Sequence, residues 1–170
     1  MAEQSILKWY EKNRQVLLNN QKPIWDLSNQ EIKEIALAYG NLKEMKGAQR
    51  IRQGKRSNVH IGATASSKIL FVLWPKAMMP WDDAMRKSFD CNGSSSSYSD
   101  YLKIIRDMTF RIISLCKNEG FQLNELPGKI GRPNSTVLEL INEYIWVTET
   151  REIKLPTAET VKRWALLDQY

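Results

Sequence analysis

The sequence predicts an all-α fold, a single compact domain of six or seven helices. Apolar residues recur at helical spacing along most of the chain, and no segment alternates convincingly between apolar and polar residues as a strand would. The length of 170 residues favours one domain. Apolar residues make up 42% of the chain and charged residues 26%, which is enough to form a core without a metal or a disulfide.

Two helices account for the N-terminal part of the chain. The first covers residues 3–19, and the Asn-Asn-Gln-Lys-Pro run that follows ends it. Ser28, with Glu31 three residues later, has the pattern of a capping box and opens a second helix over residues 29–45. The apolar stripe of this second helix consists of Ile32, Ile35, Ala36, Tyr39 and Leu42.

Residues 43–56 are strongly basic. They contain six lysines and arginines and a single acid, Glu44, so most of the net charge of +6 lies here. Gly47 and Gly54 interrupt the segment, and we predict a basic loop over residues 47–58. This loop is either a solvated connection or a surface that contacts phosphates, because clustered cations release counterions from a polyanion. In the second case the nucleic-acid-binding residues are Arg50, Arg52, Lys55 and Arg56.

Residues 59–86 are the most apolar long segment of the chain and form its predicted structural centre. A buried helix is predicted over residues 63–74, and it begins with small residues and continues with large ones. Pro75 and Pro80 then bracket a tight loop. Asp82 follows directly and is well placed to cap a further short helix.

The C-terminal half contributes three more helices. Residues 90–97 are predicted to form a flexible, serine-rich loop. A long amphipathic helix follows and places Cys116 in the core. After a turn-rich basic segment, helices are predicted over residues 136–146 and 158–168, with an extended or irregular crossing at residues 148–155 between them.

Several classes of protein do not fit the sequence. Cys91 and Cys116 lack CxxC spacing and His60 is the single histidine, so we expect no metal site and no cofactor. Nucleophile-elbow, P-loop, dinucleotide and zinc-protease motifs do not occur. The N-terminus has no leader pattern and no window reaches the ~18 apolar residues of a membrane helix, so we expect a cytoplasmic protein without membrane association.

The central segment has a recognisable order of motifs. Gly62 ends a turn that opens one helix, and Asp82, preceded by a Pro-Trp pair, opens another helix that carries Arg86. Over residues 58–87 this order resembles the core of the helix-hairpin-helix DNA glycosylase superfamily, although its hairpin normally carries two glycines and this one carries a single glycine. Thr64 stands near the position where bifunctional members place a nucleophilic lysine, so the resemblance implies a monofunctional N-glycosylase or an inactive relative.

The resemblance implies a protein that binds DNA rather than RNA and takes part in DNA repair. Asp82 would be the catalytic carboxylate that stabilises the sugar cation as the glycosidic bond breaks. Trp74 and Trp81 would be candidates for stacking on an extruded base. The residues that would contact the DNA backbone, besides the four cations of the basic segment, are Gly62, Thr64 and Lys68.

The same residues also have structural interpretations. Asp82 is well suited to a helix N-cap, tryptophans beside proline are typical of a core, and Gly62 is typical of a turn. The amine of Lys68 could reach solvent or pair with Asp82. Two other functions stay open: a non-catalytic module that binds a protein partner through the basic segment and the proline loop, or a small RNA-directed toxin or defence effector, suggested by a small basic chain with the lone His60.

Overall fold

The structure is a computed structural model that describes residues 2–19 and 22–167, apart from the side chains at positions 19, 162 and 164–167. Its helices are α1 (Ala2–Asn19), α2 (Asn29–Lys43), α3 (Gly62–Leu73), α4 (Asp83–Ser88), α5 (Ser95–Asn118), α6 (Leu126–Lys129), α7 (Val137–Ile145) and α8 (Ala158–Leu167). Two strands, β1 (Lys46–Arg52) and β2 (Lys55–His60), pair antiparallel.

The fold is mostly α, which confirms the predicted class in its coarser form. The prediction of a purely all-α fold with six or seven helices is wrong, because the described residues form eight helices and a two-stranded sheet. The additional helix, α6, is a single turn inside the segment predicted to be turn-rich. Pro127 lies in its first turn, where the missing N–H costs no hydrogen bond. Position 168, the predicted end of the last helix, lies outside the described residues.

The predicted capping box opens α2. Ser28 Oγ accepts a hydrogen bond from the Glu31 backbone N–H at 3.2 Å, and the Glu31 carboxylate accepts one from the Ser28 backbone N–H at 2.7 Å. Lys22 Nζ lies 2.7 Å from the other Glu31 oxygen. Two backbone N–H groups that the helix itself cannot satisfy are therefore bonded by the side chains of Ser28 and Glu31, and Lys22 holds the Glu31 carboxylate in place.

The segment predicted as a basic loop at residues 47–58 forms the hairpin β1–β2 instead. Its turn consists of Gln53 and Gly54, whose φ angles of 51° and 73° are both positive. Positive φ at both residues is the signature of a type I′ turn, whose twist matches that of the strands it joins. The residues from Ala48 to Asn58 are all exposed, so this is a ribbon that projects from the helical body.

The serine-rich loop predicted at residues 90–97 is shorter than expected, because α5 begins at Ser95. Ser94 caps the helix by accepting a hydrogen bond from the Ser97 backbone N–H. Close packing against α2 explains this start: a Cβ added to Gly40 would lie 1.9 Å from Ser95 Oγ. Gly40 therefore allows α2 and α5 to approach each other closely.

The loop between α3 and α4 is buried rather than exposed. Residues 77–81 are all buried, and most of their neighbours are aromatic or apolar. Tyr98 and Tyr101 on α5 donate hydrogen bonds from their hydroxyl groups to the carbonyl oxygens of Met79 and Pro80, at 3.0 and 3.2 Å. The tyrosine hydroxyl groups thus take the place of the backbone N–H donors that a helix or a strand would offer to these carbonyl oxygens.

The segment predicted as an extended or irregular crossing at residues 148–155 begins as a helical turn. A π-helical turn, Trp146–Thr150, continues α7 without a break, and irregular exposed chain leads from it to α8.

Cys116 is buried, as predicted for a core thiol. None of the described helices is both long enough and apolar enough to cross a bilayer.

We expect Glu31→Gln to remove a pH dependence from the free energy of unfolding. Hydrogen bonds from Lys22 and from the Ser28 backbone lower the pKa of Glu31 from its usual 4.5 to about 2. The carboxylate therefore stabilises the fold fully above pH 4.5, and this contribution is lost as the pH falls towards 2. In urea unfolding, the wild-type chain should lose more stability than the variant between about pH 6 and about pH 3. An equal loss of unfolding free energy in the two proteins would show that the ionised Glu31 carboxylate does not stabilise the fold.

Candidate functional site

A pocket of about 400 Å³ lies where α3, the end of the buried loop, the start of α4 and the end of α7 meet. An amine, a carboxylate, an amide and an indole face it from four different parts of the chain, against an apolar wall. This combination of a few polar groups and an apolar lining is typical of a ligand site. The residues around it are Lys68, Phe71, Val72, Pro80, Trp81, Asp82, Met85, Asn142 and Trp146.

Asp82 is the most constrained polar group of the pocket. Its Oδ1 accepts a hydrogen bond from the Met85 backbone N–H at 2.9 Å, which makes it the N-cap of α4. Its Oδ2 accepts one from Thr150 Oγ1 at 2.9 Å. Each carboxylate oxygen can accept more than one hydrogen bond, so two donors orient the group and still leave lone pairs for a ligand.

The π-helical turn supplies two of the groups around Asp82. The Arg151 backbone N–H donates to the carbonyl oxygen of Trp146, five residues earlier, at 3.0 Å. Turns of this type are rare and often occur at functional sites. Here the wider turn brings Thr150 against Asp82 and leaves Trp146 at the pocket, 43% exposed, with the Arg151 guanidinium 5.3 Å from its ring.

Sequence reasoning missed Trp146, Thr150 and Asn142. The sequence predicts Trp146 at the end of an amphipathic helix, and the β-branched residues after it favour an extended crossing. The signal for Trp146 and Thr150 is the run Trp-Val-Thr-Glu-Thr, in which an aromatic residue and two hydroxyl residues follow an apolar helix with no glycine or proline to end it. No comparable signal marks Asn142.

The two tryptophans predicted to stack on a base lie in the core. Trp81 is 1% exposed and Trp74 is 8% exposed. The Trp81 ring is packed by Tyr98 and Tyr101, with ring centroids 4.9 and 5.2 Å away. A base could therefore stack on either ring only after the core had rearranged, whereas Trp146 presents its ring at the surface.

Gly62 and Thr64 lie in the first turn of α3, directly after β2. Gly62 has a φ of 79°, and a Cβ at this position would meet no atom within 4 Å. None of the described side chains caps the helix, and its first turn contains no acid. The backbone N–H groups of the half-buried first turn therefore have no side-chain acceptor, and the positive end of the helix dipole lies behind them. Thr64 Oγ1 accepts a hydrogen bond from Arg86 Nη1 at 2.9 Å, and Arg86 also pairs with Asp83.

The hairpin brings the four predicted cations together. Arg52 lies opposite Lys55, Arg50 opposite Ser57, and Arg56 opposite Ile51. Neither strand contains an acidic residue. The positive charge of the ribbon is therefore not balanced by the ribbon's own side chains.

His60 ends β2 at the root of the ribbon. Its Nδ1 lies 3.9 Å from the carboxylate of Glu44, and the same carboxylate group pairs with Lys43. Lys43 and Glu44 lie at the end of α2, on the helical body. His60 is thus placed beside the ribbon and away from the pocket that contains Asp82.

The exposed side of α3 leads from the hairpin towards the pocket. At the root of the ribbon the Ile61 backbone N–H donates to the Met45 carbonyl oxygen at 2.8 Å, so β2 passes directly into α3. Ala65, Lys68 and Val72 are exposed at helical spacing along one face, so the prediction that this helix is buried is wrong and α3 is buried on one side only. With a rise of about 1.5 Å per residue, Lys68 lies roughly 9 Å along the axis from Gly62. Lys68 and Asp82 line the same pocket. The predicted pairing between them is not formed, because the Asp82 carboxylate accepts its hydrogen bonds from Met85 and Thr150 and Lys68 is exposed to solvent.

No protein-family model, no curated protein and no solved structure matches this chain. Within the described part of the chain, no group of three or more histidine, cysteine, aspartate or glutamate side chains is arranged to hold a metal ion. The function is therefore inferred from the residues of the chain itself.

We expect Asp82→Ala to destabilise the fold by about 1 kcal/mol, because α4 loses its N-cap. Asp82→Asn should cost much less, since its side-chain oxygen can still accept the Met85 N–H and its amide can donate to the Thr150 hydroxyl. Urea unfolding at neutral pH separates the two variants. Equal destabilisation would show that the charge of Asp82, rather than its capping geometry, supports this part of the fold.

Proposed function

We propose that this protein binds double-stranded DNA through the hairpin β1–β2 and the adjoining first turn of α3. The observation that carries the proposal is a projecting ribbon whose strands hold Arg50, Arg52, Lys55 and Arg56 and no acid. Exposed, clustered cations gain free energy on a polyanion because they release its condensed counterions. The same cations would repel one another in the free protein, which makes a purely structural role hard to explain.

The shape of the ribbon fits a duplex as well as its charge does. A two-stranded β-ribbon is one of the two elements that the major groove of B-DNA admits. The open first turn of α3 at the root of the ribbon adds N–H donors that suit a phosphate oxygen, and the absence of a side chain at Gly62 allows a phosphate to approach the backbone. Lys68, further along the exposed face of α3, extends the positive surface towards the pocket.

The pocket beside Asp82 supports a second candidate, an N-glycosylase activity on an extruded base. Asp82 is oriented by two donors, Asn142 offers an amide, and Trp146 offers an exposed ring on which a base could stack. A carboxylate in this position would stabilise positive charge that develops on the sugar as the glycosidic bond breaks. The hydrogen bonds of Asp82 to Met85 and Thr150 serve the fold equally well, so an inactive relative that only binds DNA would retain the same geometry.

Substituting the four hairpin cations, Arg50, Arg52, Lys55 and Arg56, by alanine should weaken duplex binding and flatten its salt dependence. Each lost phosphate contact lowers the slope of log K against log salt by about 0.9, so the slope should fall by roughly 3 to 4. Fluorescence anisotropy with a labelled duplex between about 50 and 200 mM salt measures both quantities.

A matched variant controls for net charge. Alanine at Lys33, Arg111, Lys117 and Lys129 removes the same number of charges from exposed positions away from the ribbon. This variant should bind nearly as well as the wild-type chain. If the two variants lose affinity equally, binding depends on overall charge and not on the hairpin, and the proposal fails.

Asp82→Asn is expected to abolish base release if the pocket is catalytic. The substrates are duplexes that each carry one damaged or mismatched base, and the readout is strand breakage in alkali after incubation. The variant should still bind these duplexes, because the cations of the ribbon are unchanged. Base release by the variant at the wild-type rate would remove Asp82 from catalysis. A wild-type chain that releases no base would leave DNA binding as the function and rule out the enzyme.

A further inference from the structure

The two faces of the hairpin carry different chemistry. Side chains alternate along a strand, and residues paired across two strands lie on the same face. One face, here called the basic face, is formed by Arg50 with Ser57 and Arg52 with Lys55. The opposite face, here called the amide face, is formed by Gln49 with Asn58 and Ile51 with Arg56.

The amide face consists of groups that match the edges of bases. Glutamine and asparagine can each bond two positions of adenine, its N6 donor and its N7 acceptor, and arginine can bond O6 and N7 of guanine. Ile51, which is 66% exposed, can contact the methyl group of thymine. Among the described residues, no hydrogen bond or core contact accounts for this exposed isoleucine or for the two amides, which lie nearer the root of the ribbon.

The amide face also has the orientation that base contact requires. At the root of the ribbon, Val59 lies on the basic face and is half-buried, whereas Asn58 on the amide face is exposed. At its root the basic face is therefore the one nearer the helical body, and the amide face is open to solvent from Gln49 to Asn58. If the ribbon enters a groove with its amide face leading, the cations behind it meet the phosphates of the groove walls.

We propose that the amide face reads base edges in the major groove, while the basic face holds the phosphates. The inference rests on the proposed DNA binding and adds that the protein prefers certain sequences. Cross-strand neighbours lie about 5 Å apart, and successive bases rise by about 3.4 Å, so Gln49 and Asn58 can contact neighbouring base pairs. The expected site contains adenine at these two positions, with guanine next to them where Arg56 reaches.

Selection from a library of random duplexes tests the preference. The wild-type chain should enrich a short motif and bind it at least ~100-fold more tightly than a scrambled duplex of the same composition. The double variant Gln49→Ala/Asn58→Ala should lose most of this ratio, by roughly 10- to 100-fold. Its affinity for the scrambled duplex and its salt slope should stay at the wild-type values, since no charge is removed.

The matched control acts on the other face. Arg50→Ala/Lys55→Ala should weaken binding to both duplexes alike and lower the salt slope by about 2, while the ratio between the duplexes is unchanged. Amide chemical shifts of the strands in each variant show whether the hairpin is still formed. If the amide variant unfolds the ribbon, Gln49→Thr/Asn58→Thr, which suits a strand better, takes its place.

Modified bases test whether the amide face contacts the bases in the major groove. Replacing the adenines of the selected motif by 7-deazaadenine removes the N7 acceptor from the major groove and leaves the minor groove intact. Affinity for the motif should fall by about tenfold or more in the wild-type chain and should not change in the amide variant. If 7-deazaadenine has no effect, or if no motif is enriched, base reading by the amide face is wrong while DNA binding stands. If no duplex binds at any salt concentration, the proposed function itself fails.

Discussion

The burial of Trp81 is the constraint on which the rest of the structure depends. Its backbone N–H donates to Ser67 Oγ at 3.1 Å, and its indole Nε1 donates to the Ala63 carbonyl oxygen at 3.3 Å, so the ring is tied to two turns of α3. The hydroxyl groups of the buried Tyr98 and Tyr101 donate to the carbonyl oxygens of Met79 and Pro80 in the loop that leads to Trp81, and burial raises the pKa of both tyrosines. Because Trp81 is fixed, Asp82 must emerge beside α3 at the edge of the pocket.

The hairpin differs from this core, because its residues from Ala48 to Asn58 are exposed and it contacts the helical body through β1 and α1 and at its root. An isolated two-stranded ribbon is at best marginally stable in water. Here the type I′ turn at Gln53 and Gly54 preorganises the tip, and the bond between Ile61 and Met45 secures the base. Such a ribbon can adjust its twist to a partner without disturbing the core. The core fixes the pocket beside Asp82, and the ribbon carries the charge. Helix α3 joins the pocket and the ribbon into one surface.

Features set by local chemistry could be predicted from the sequence. The capping box of Ser28 and Glu31 and the burial of Cys116 each depend on a pattern within a few turns of helix, and both predictions are confirmed. The hairpin could not be predicted in this way, because its strands are rich in charge and polar residues and its Gln-Gly turn is a weaker signal than Asn-Gly or Asp-Gly. The hydrogen bond from Thr150 to Asp82 joins residues that are 68 positions apart, so no local sequence pattern could predict it.

The central claim is that the hairpin and the first turn of α3 form one DNA-binding surface. Amide chemical shifts of the labelled chain, followed as a duplex is added, test this claim most directly. The largest changes should fall on β1, β2 and the first turn of α3, with smaller changes at Lys68 and around the pocket. The apolar groove between α5 and α7, near Leu115 and Tyr144, should be unaffected. Changes centred on that groove, with a silent hairpin, would contradict the account.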